Sequence, residues 1–188
     1  MAGGRSSRFG RDKLSVAYGG VPLLHHSILR LAEVCDDVVV VTAPEAAPPV
    51  LPVGVPARLA HDAAEGEGPL AGLVAGLAEV RTEWALVAGG DMPDLSRKVL
   101  LEMLHVAAEA PADAVALQQG GRSLPLPIAL RAGPAREAGH SLLHAGEHRL
   151  GAILEALRTA AIDETTWTTL DPEQATLRDI DEPGDLIP

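Results

Sequence analysis

Val38-Val39-Val40-Val41-Thr42 is an unbroken β-branched run, and it restricts the fold more than any other stretch of the chain. A strand with one wet face alternates apolar and polar residues; a strand apolar at every position is covered on both sides, which is the situation of parallel sheets in α/β layers. The flanking segments carry a helical period. Pro22–Glu33 reads as a helix, with Pro22 in its first turn and Leu24, Ile28 and Leu31 on one face. Downstream, Ala57–Ala60 reads as a short strand, Pro69–Val80 as a helix and Trp84–Ala88 as a second buried strand. Leu95–Glu109 is an amphipathic helix with Ser96 near its start. Ala114–Leu117 and Leu126–Leu130 are strands, Arg149–Arg158 is a helix, and Leu177–Ile180 is a short late strand. This alternation predicts a three-layer α/β/α sandwich on a mainly parallel, Rossmann-like sheet, with ligands at the carboxyl ends of its strands.

The chain reads as one domain over residues 1–188. The Pro-rich stretch Pro44–Pro56 is a loop inside it, because the roughly 43 residues before it are too few for a separate core. Aromatic residues make up only 2%, so the core is built from Leu, Val, Ile and Ala. No apolar run reaches the ~20 residues of a membrane span. The opening Met-Ala-Gly-Gly-Arg has no apolar signal segment, and the single Cys35 excludes an internal disulfide framework. Together these point to the cytoplasm.

Net charge is −11, which repels nucleic acid and anionic membrane. One segment departs from that balance. Arg5, Arg8, Arg11 and Lys13 place four of the 15 basic residues in nine positions. A positive island in an acidic chain suits a compact anion. The loop Gly3-Gly4-Arg5-Ser6-Ser7-Arg8-Phe9-Gly10-Arg11-Asp12-Lys13 also has the glycines that let consecutive N–H groups turn toward phosphate oxygens. Ser6 and Ser7 add hydroxyl donors, Arg8 a planar fork and Lys13 a movable point charge. The loop lacks the Gly-Lys-Ser/Thr ending of a P-loop and the glycine spacing of a dinucleotide site.

A second segment, Gly89-Gly90-Asp91-Met92-Pro93, follows a buried strand, so Asp91 falls at a strand's carboxyl end. One carboxylate there, with substrate phosphate oxygens, suffices for Mg²⁺; the alternative is an aspartate that only starts the turn before Pro93. In the third, Asp62–Gly72, Asp62 is placed to accept hydrogen bonds from a base or sugar. Gly68, Gly72 and Gly76 recur every four residues, which favours a bare helix face packed close to the sheet. The fourth, Gly120–Pro127, is a hairpin turn, or places Arg122 where it holds a second anionic substrate. In the fifth, Asp179 and Asp181 share one side of a strand end and complete a metal site, unless Asp181 caps the following helix. His140, His144 and His148 are spaced by four, but Gly146 interrupts the helix, so a three-histidine metal face is not expected.

Taken in order, these segments resemble the molybdenum cofactor guanylyltransferase family of MobA-like NTP transferases, within the wider nucleotide-diphospho-sugar-transferase superfamily. The likeness is carried by Ala2-Gly3-Gly4…Arg8-Phe9-Gly10…Asp12-Lys13, Gly20-Val21-Pro22-Leu23-Leu24, Gly68-Pro69-Leu70-Ala71-Gly72, Asp91-Met92-Pro93, Gly121-Arg122…Pro125-Leu126 and Asp181-Glu182-Pro183-Gly184-Asp185-Leu186. The resemblance implies transfer of GMP from GTP to the phosphate of a molybdopterin cofactor, with release of pyrophosphate and Mg²⁺ as cofactor. It implies a nucleotide site of Ala2, Gly3, Gly4, Arg5, Ser6, Lys13, Asp62, Gly68 and Asp91. Arg8, Lys13 and Asp91 take the catalytic roles, and Asp91 holds the metal. Arg122, Pro125, Asp179 and Asp181 face the pterin substrate. The partners implied are GTP and the molybdopterin substrate, and contact with other cofactor-biosynthesis proteins is also admitted.

This sequence departs from the family in three places. The apolar strand expected before Ala2-Gly3-Gly4 is absent, an asparagine expected after the second strand is replaced around Thr42–Pro44, and the late motif reads Asp179-Ile180-Asp181 where asparagine is usual. The last form is familiar from cytidylyltransferases, so guanine against cytosine stays open here. Cytidylyl or sugar-phosphate transfer, and a non-catalytic nucleotide-binding regulatory module, are the competing readings. A dinucleotide-dependent oxidoreductase is disfavoured by the missing fingerprint. A loop of this kind is expected to follow a central strand, so either a further strand of some six to eight residues stands on its N-terminal side or another segment fills that slot.

Overall fold

The computed structural model describes residues 13–44, 46–61 and 68–186. Its elements run β1 Ala17–Tyr18, β2 Val21–Pro22, α1 Leu23–Ala32, β3 Val38–Thr42, β4 Ala57–His61, α2 Pro69–Glu79, β5 Trp84–Val87, α3 Arg97–Glu109, β6 Ala114–Gln119, β7 Arg122–Arg131, α4 Ala132–His144, α5 Ala152–Ala156, β8 Thr159–Ile162 and α6 Glu164–Leu170. Short 3₁₀ turns cover Lys13–Ser15, Ala175–Leu177 and Pro183–Leu186.

β3 and β4 pair in parallel, from Val38 opposite Ala57 to Thr42 opposite His61. Arg58, at the start of β4, reaches the end of α2: its Nη1 lies 2.7 Å from Glu79 Oε2, and its Nη2 donates to the Glu79 carbonyl at 2.6 Å. α2 therefore runs back along β4, and β5 sets out from the same end in the direction of β3 and β4. A second group of strands has the order β5-β7-β6-β8. β7 is antiparallel to β5 and to β6, whereas β6 and β8 are parallel. Among the described long strands β7 alone is reversed, because a tight turn joins it to β6. Gly120 and Gly121 make that turn at φ 55° and 78°, the left-handed pair that a two-residue hairpin demands.

The sheet is covered on both faces, as an all-apolar strand requires. Val115 and Leu117 of β6 point into one core with Val99, Leu100 and Met103 of α3 and Trp167 of α6. Ala114 and Ala116 point into the other with Leu70, Leu73 and Leu77 of α2 and Ala135 of α4. Close helix packing explains two glycines. A Cβ on Gly76 would stand 2.9 Å from Val41 Cγ2, so α2 meets β3 through a bare position. A Cβ on Gly139 would stand 2.5 Å from Val74 Cγ2, where α4 crosses α2. Gly68 does something different from the expected helix-face contact. It is the α2 N-cap at φ 82°, set against the backbone and Cβ of His148.

Several sequence expectations need correction. The helix expected over Arg149–Arg158 is α-helical only at Ala152–Ala156, and the chain then enters β8, parallel to β6. Leu177–Ile180 is not a strand. Leu177 closes a 3₁₀ turn, and Ile180 is fully buried as a plug against Tyr18 and Leu23. α4, α6 and the β1–β2 hairpin had no sequence counterpart. His140 and His144 lie on α4 and His148 beyond it, and no metal-binding group of three or more His, Cys, Asp or Glu occurs among the described residues. No described helix is long and apolar enough to cross a membrane.

β3 and β5 each have one edge with no strand partner among the described residues. A cavity of about 680 Å³ lies between those two edges.

Candidate active site

Asp91 sits in the loop that leaves the carboxyl end of β5, and local geometry aims its side chain. Gly89 carries no side chain because the Asp91 carboxylate occupies the place of a Cβ. The Gly89 N–H donates to Met92 Sδ at 3.3 Å, and Ser27 Oγ, buried on α1, donates to the Met92 carbonyl at 3.0 Å. The Ile180 N–H donates to the Asp91 carbonyl at 3.0 Å. The loop is thus held by α1 on one side and the C-terminal segment on the other.

Lys13 enters the same place from the other end of the chain. Its Nζ lies 2.7 Å from Asp91 Oδ2 and 2.9 Å from Asp181 Oδ1. The lysine side chain is 16% exposed and that of Asp91 27%, while Asp181 opens further to solvent at 54%. Burial is the largest single influence on Lys13 and lowers its pKa. Hydrogen bonds to Asp91 and Asp181, with their charges, outweigh it, so the net displacement is upward and the ammonium is held charged. Asp179 is displaced upward, first by burial and then by the negative charge of Asp181; a backbone hydrogen bond opposes these, Asp91 adds a smaller push and Lys13 a smaller pull. Two carboxylates thus meet one ammonium at the carboxyl end of the sheet, and Asp179 lies near enough to feel the charge of all three.

Asp181 does not cap a following helix. Asp185 provides that turn: its Oδ2 accepts the N–H groups of Asp181 at 3.0 Å and Glu182 at 2.8 Å, which leaves the Asp181 carboxylate to face Lys13. A further network was not foreseen. Arg178 Nε donates to Asp94 Oδ2 at 2.9 Å, and Arg178 Nη2 donates to Tyr18 Oη at 2.7 Å and also to Asp94. It joins β1, the loop after Asp91 and the C-terminal segment just before Asp179. The only sequence signal was the chain's single tyrosine, which by itself names no partner.

Arg122 and Pro125 are exposed on the part of β7 that continues past its last pairing with β5, Ile128 opposite Val87. Register thus puts them beyond the carboxyl end of β5, toward the Asp91 side. The hairpin tip is fixed by the Gly120 N–H, which donates to Glu164 Oε2 at 2.9 Å. Gly68 lies at the α2 N-terminus, against His148. Ala2, Gly3, Gly4, Arg5, Ser6, Arg8 and Asp62 lie outside the described residues.

Residues 1–165 match the family model of the MobA-like NTP transferase domain. The chain belongs to this family. It is 32% identical to a protein of Chloroflexus aggregans named probable molybdenum cofactor guanylyltransferase, over 99% of this chain and 89% of that one. It is 34% identical to a protein of the same name from Mycobacterium avium, over 83% and 79%. Among solved structures, molybdopterin-guanine dinucleotide biosynthesis protein A from Archaeoglobus fulgidus superposes with a TM-score of 0.76 at 21% identity, covering 98% of this chain and 92% of that one. The 2-C-methyl-D-erythritol 4-phosphate cytidylyltransferase of Thermus thermophilus superposes with a TM-score of 0.71 at 20% identity, over 96% and 92%. At those identities the structural likeness speaks for the fold alone, a three-layer α/β sandwich. Membership of the MobA-like family makes this protein a nucleotidyltransferase.

Proposed function

We propose that this MobA-like nucleotidyltransferase, acting as one domain over residues 1–188 in the cytoplasm, transfers GMP from GTP to the phosphate of a molybdopterin-type substrate. The observation that carries the reading is the convergence of Lys13, Asp91 and Asp181 at the carboxyl end of β5. Curated relatives matching most of this chain support the guanylyl choice by their names.

The carboxylates fit Mg²⁺. They are hard oxygen donors, and their meeting point already accommodates one cation, the Lys13 ammonium. Asp91 would hold the metal, with Asp181 facing the same point and substrate phosphate oxygens completing the set. Bound there, Mg²⁺ neutralises phosphate charge and orients the triphosphate.

In the reaction, an oxygen of the acceptor phosphate forms a bond to the α-phosphorus of GTP. The bond from that phosphorus to the bridging oxygen breaks, and its electron pair leaves with pyrophosphate. No protein nucleophile takes part. Lys13 supplies positive charge where the leaving group gains negative charge, and Arg8 and the loop of Ala2, Gly3, Gly4, Arg5 and Ser6 are assigned to the same phosphates. Asp62 and Gly68 are assigned to the guanosine side. Arg122 and Pro125, on the overhanging part of β7, are assigned to the second substrate, with Asp179 and Asp181 opposite.

Pyrophosphate release with Mg²⁺, the molybdopterin acceptor and each of GTP, CTP and ATP tests the reading. GTP alone should sustain release. Equal use of CTP overturns the guanylyl assignment. Binding of GTP without release in the presence of acceptor shows a binding module instead.

A further inference from the structure

The N-terminus of α2 is capped by a distant part of the chain. The first N–H groups of a helix have no partner within it, and an N-cap side chain usually takes one of them. Here the N-cap is Gly68, which has no side chain, and Pro69 follows it without an N–H. The first N–H of the helix is therefore that of Leu70, and it donates to the His148 carbonyl at 3.3 Å. His148 also limits the space at the cap. A Cβ on Gly68 would stand 3.1 Å from both the Cβ and the carbonyl oxygen of His148. Gly68 itself has φ 82° and ψ 178°, a conformation confined almost entirely to glycine.

The turn that presents His148 is held by Glu147. α4 ends in a left-handed glycine cap, with Gly146 at φ 78°. The Gly146 N–H donates to the Leu143 carbonyl at 2.9 Å and the Glu147 N–H to the Leu142 carbonyl at 3.0 Å. Past that cap the Glu147 carboxylate gathers the next two residues. Its Oε1 accepts the N–H groups of His148 at 2.9 Å and Arg149 at 2.8 Å, and its Oε2 accepts Arg149 Nη2 at 2.6 Å. These bonds, the one from the Arg149 side chain foremost, lower the Glu147 pKa to about 2, so the carboxylate is charged at neutral pH. Leu150, next along the chain, is buried in the same core as Leu70 and Leu73 of α2.

Given the assignment of Gly68 to the guanosine side, on which this rests, we propose that Glu147 is a positioning residue for the nucleotide. It fixes the His148 carbonyl, and through that carbonyl Gly68 and the first turn of α2. Because α2 runs back along β4, this end of the helix stands at the carboxyl end of the sheet, as Asp91 does. A glycine with no side chain to anchor it has the widest backbone freedom in the chain, and the His148 turn removes that freedom before a ligand arrives. Glu147 acts only through the turn, so its loss is read in nucleotide binding and not in the chemical step.

Glu147→Ala, Glu147→Gln and Glu147→Asp are compared with the unaltered protein. Amide hydrogen exchange at Leu70, without nucleotide, reports the cap. KM and kcat for pyrophosphate release, and equilibrium Kd, are measured with Mg²⁺ and with GTP and CTP separately. In Glu147→Ala, Leu70 should exchange about tenfold faster. KM and Kd for the accepted nucleotide should rise about three- to thirtyfold, the range to which loss of a helix cap converts, with kcat changed by no more than about twofold. Glu147→Asp should restore most of both, because aspartate readily accepts the N–H two residues on. Glu147→Gln should fall between them, and it carries the comparison with Glu147→Asp if the alanine variant does not fold. A preference for CTP changes the base assigned above and leaves the role of Glu147 standing. Binding of neither triphosphate to the unaltered protein sinks the nucleotide reading itself. Unchanged exchange at Leu70 in Glu147→Ala overturns the role of Glu147 alone, as does faster exchange with KM and Kd unchanged.

Discussion

Lys13 Nζ and Asp91 Oδ2, brought from opposite sides of the Pro-rich loop, meet at 2.7 Å, and the same ammonium reaches Asp181 Oδ1 at 2.9 Å. One lysine therefore balances two of the carboxylates proposed to face a divalent metal. On the proposed reading, Lys13 would exchange its carboxylate partners for phosphate oxygens when a metal and a triphosphate bind. The ion pairs hold the residue in reach of both positions.

Lys13→Ala should lower turnover by ~10²–10³, the usual cost of losing one electrostatic contact to a charge that develops in the transition state. Stability should change by no more than ~1 kcal/mol, because Asp181 is largely solvated and such pairs contribute little. Single-turnover kinetics together with thermal melts separate the two effects. A variant with near-normal turnover removes Lys13 from the mechanism.

Asp91→Asn should abolish metal-dependent activity, since the amide keeps the shape and loses the charge that binds a divalent cation. Asp181→Asn, at a more open position, should raise the Mg²⁺ requirement by less. Titrations of Mg²⁺ against rate decide the order. If Asp181→Asn proves the more severe, the metal sits on the C-terminal segment instead.

The pH behaviour of Asp179 has a definite sign. Burial and the charges of Asp181 and Asp91 raise its pKa in the folded state above the ordinary value of 3.8. Native Asp179 thus holds its proton more tightly than the unfolded chain does. Its favourable share of stability is complete below that value and is lost as pH rises through the folded-state pKa. At neutral pH the carboxylate is a net burden, so Asp179→Asn should stabilise the apo protein there, by no more than ~1 kcal/mol for a group in partial contact with water. The gain should fade toward the acid side. Urea unfolding of both proteins across pH 3 to 8 measures it, and a gain that persists unchanged in acid contradicts the assignment.

Much of this fold is legible because its core strands are written in one residue class. Val38–Val41 and Trp84–Val87 are apolar throughout, and that pattern fits a doubly covered sheet. α4 was not legible. Gly133, Pro134 and Gly139 read as breakers, yet Pro134 lies in the first helical turn, where proline is tolerated, and Gly139 is required by the approach of Val74. α6 was hidden by four threonines, which favour strands. It forms because Asp163 Oδ1 accepts the Thr166 N–H at 2.9 Å and Trp167 is buried. At the site, Lys13 and Asp91 stand in recognisable loops. The Tyr18–Asp94–Arg178 network does not, since it joins residues as far as 160 positions apart through no local pattern.

Gly139→Ala should destabilise the protein by ~1–3 kcal/mol, despite the better helix propensity of alanine, because the new Cβ would stand 2.5 Å from Val74 Cγ2. Val74→Ala in the same chain should recover part of the loss, since the obstructing methyl groups go with it. Chemical denaturation of the two single variants and the double variant reads this directly. Strict additivity means that α2 and α4 do not meet at this point.

Tyr18→Phe tests the support behind the site. The hydroxyl accepts from Arg178 Nη2 at 2.7 Å and donates to Asp94 Oδ2 at 3.3 Å, while the ring is buried beside Leu23 and Ile180. Phenylalanine keeps the buried ring and removes only the polar link, so the expected loss is ~0.5–1.5 kcal/mol, with water taking over at the half-exposed guanidinium. Arg178→Met should cost more, because it also leaves Asp94 without its cation. Arg178 precedes Asp179 and Asp181 on the same segment, so releasing it should loosen both carboxylates and lower kcat/KM even though Arg178 is not assigned to substrate. In a double-mutant cycle the two substitutions should cost less together than the sum of their separate effects, the sign of a shared contact. Additive losses, or unchanged kcat/KM in Arg178→Met, show that the C-terminal segment is positioned without this network, and the anchoring then falls to Ile180 and its hydrogen bond to the Asp91 carbonyl.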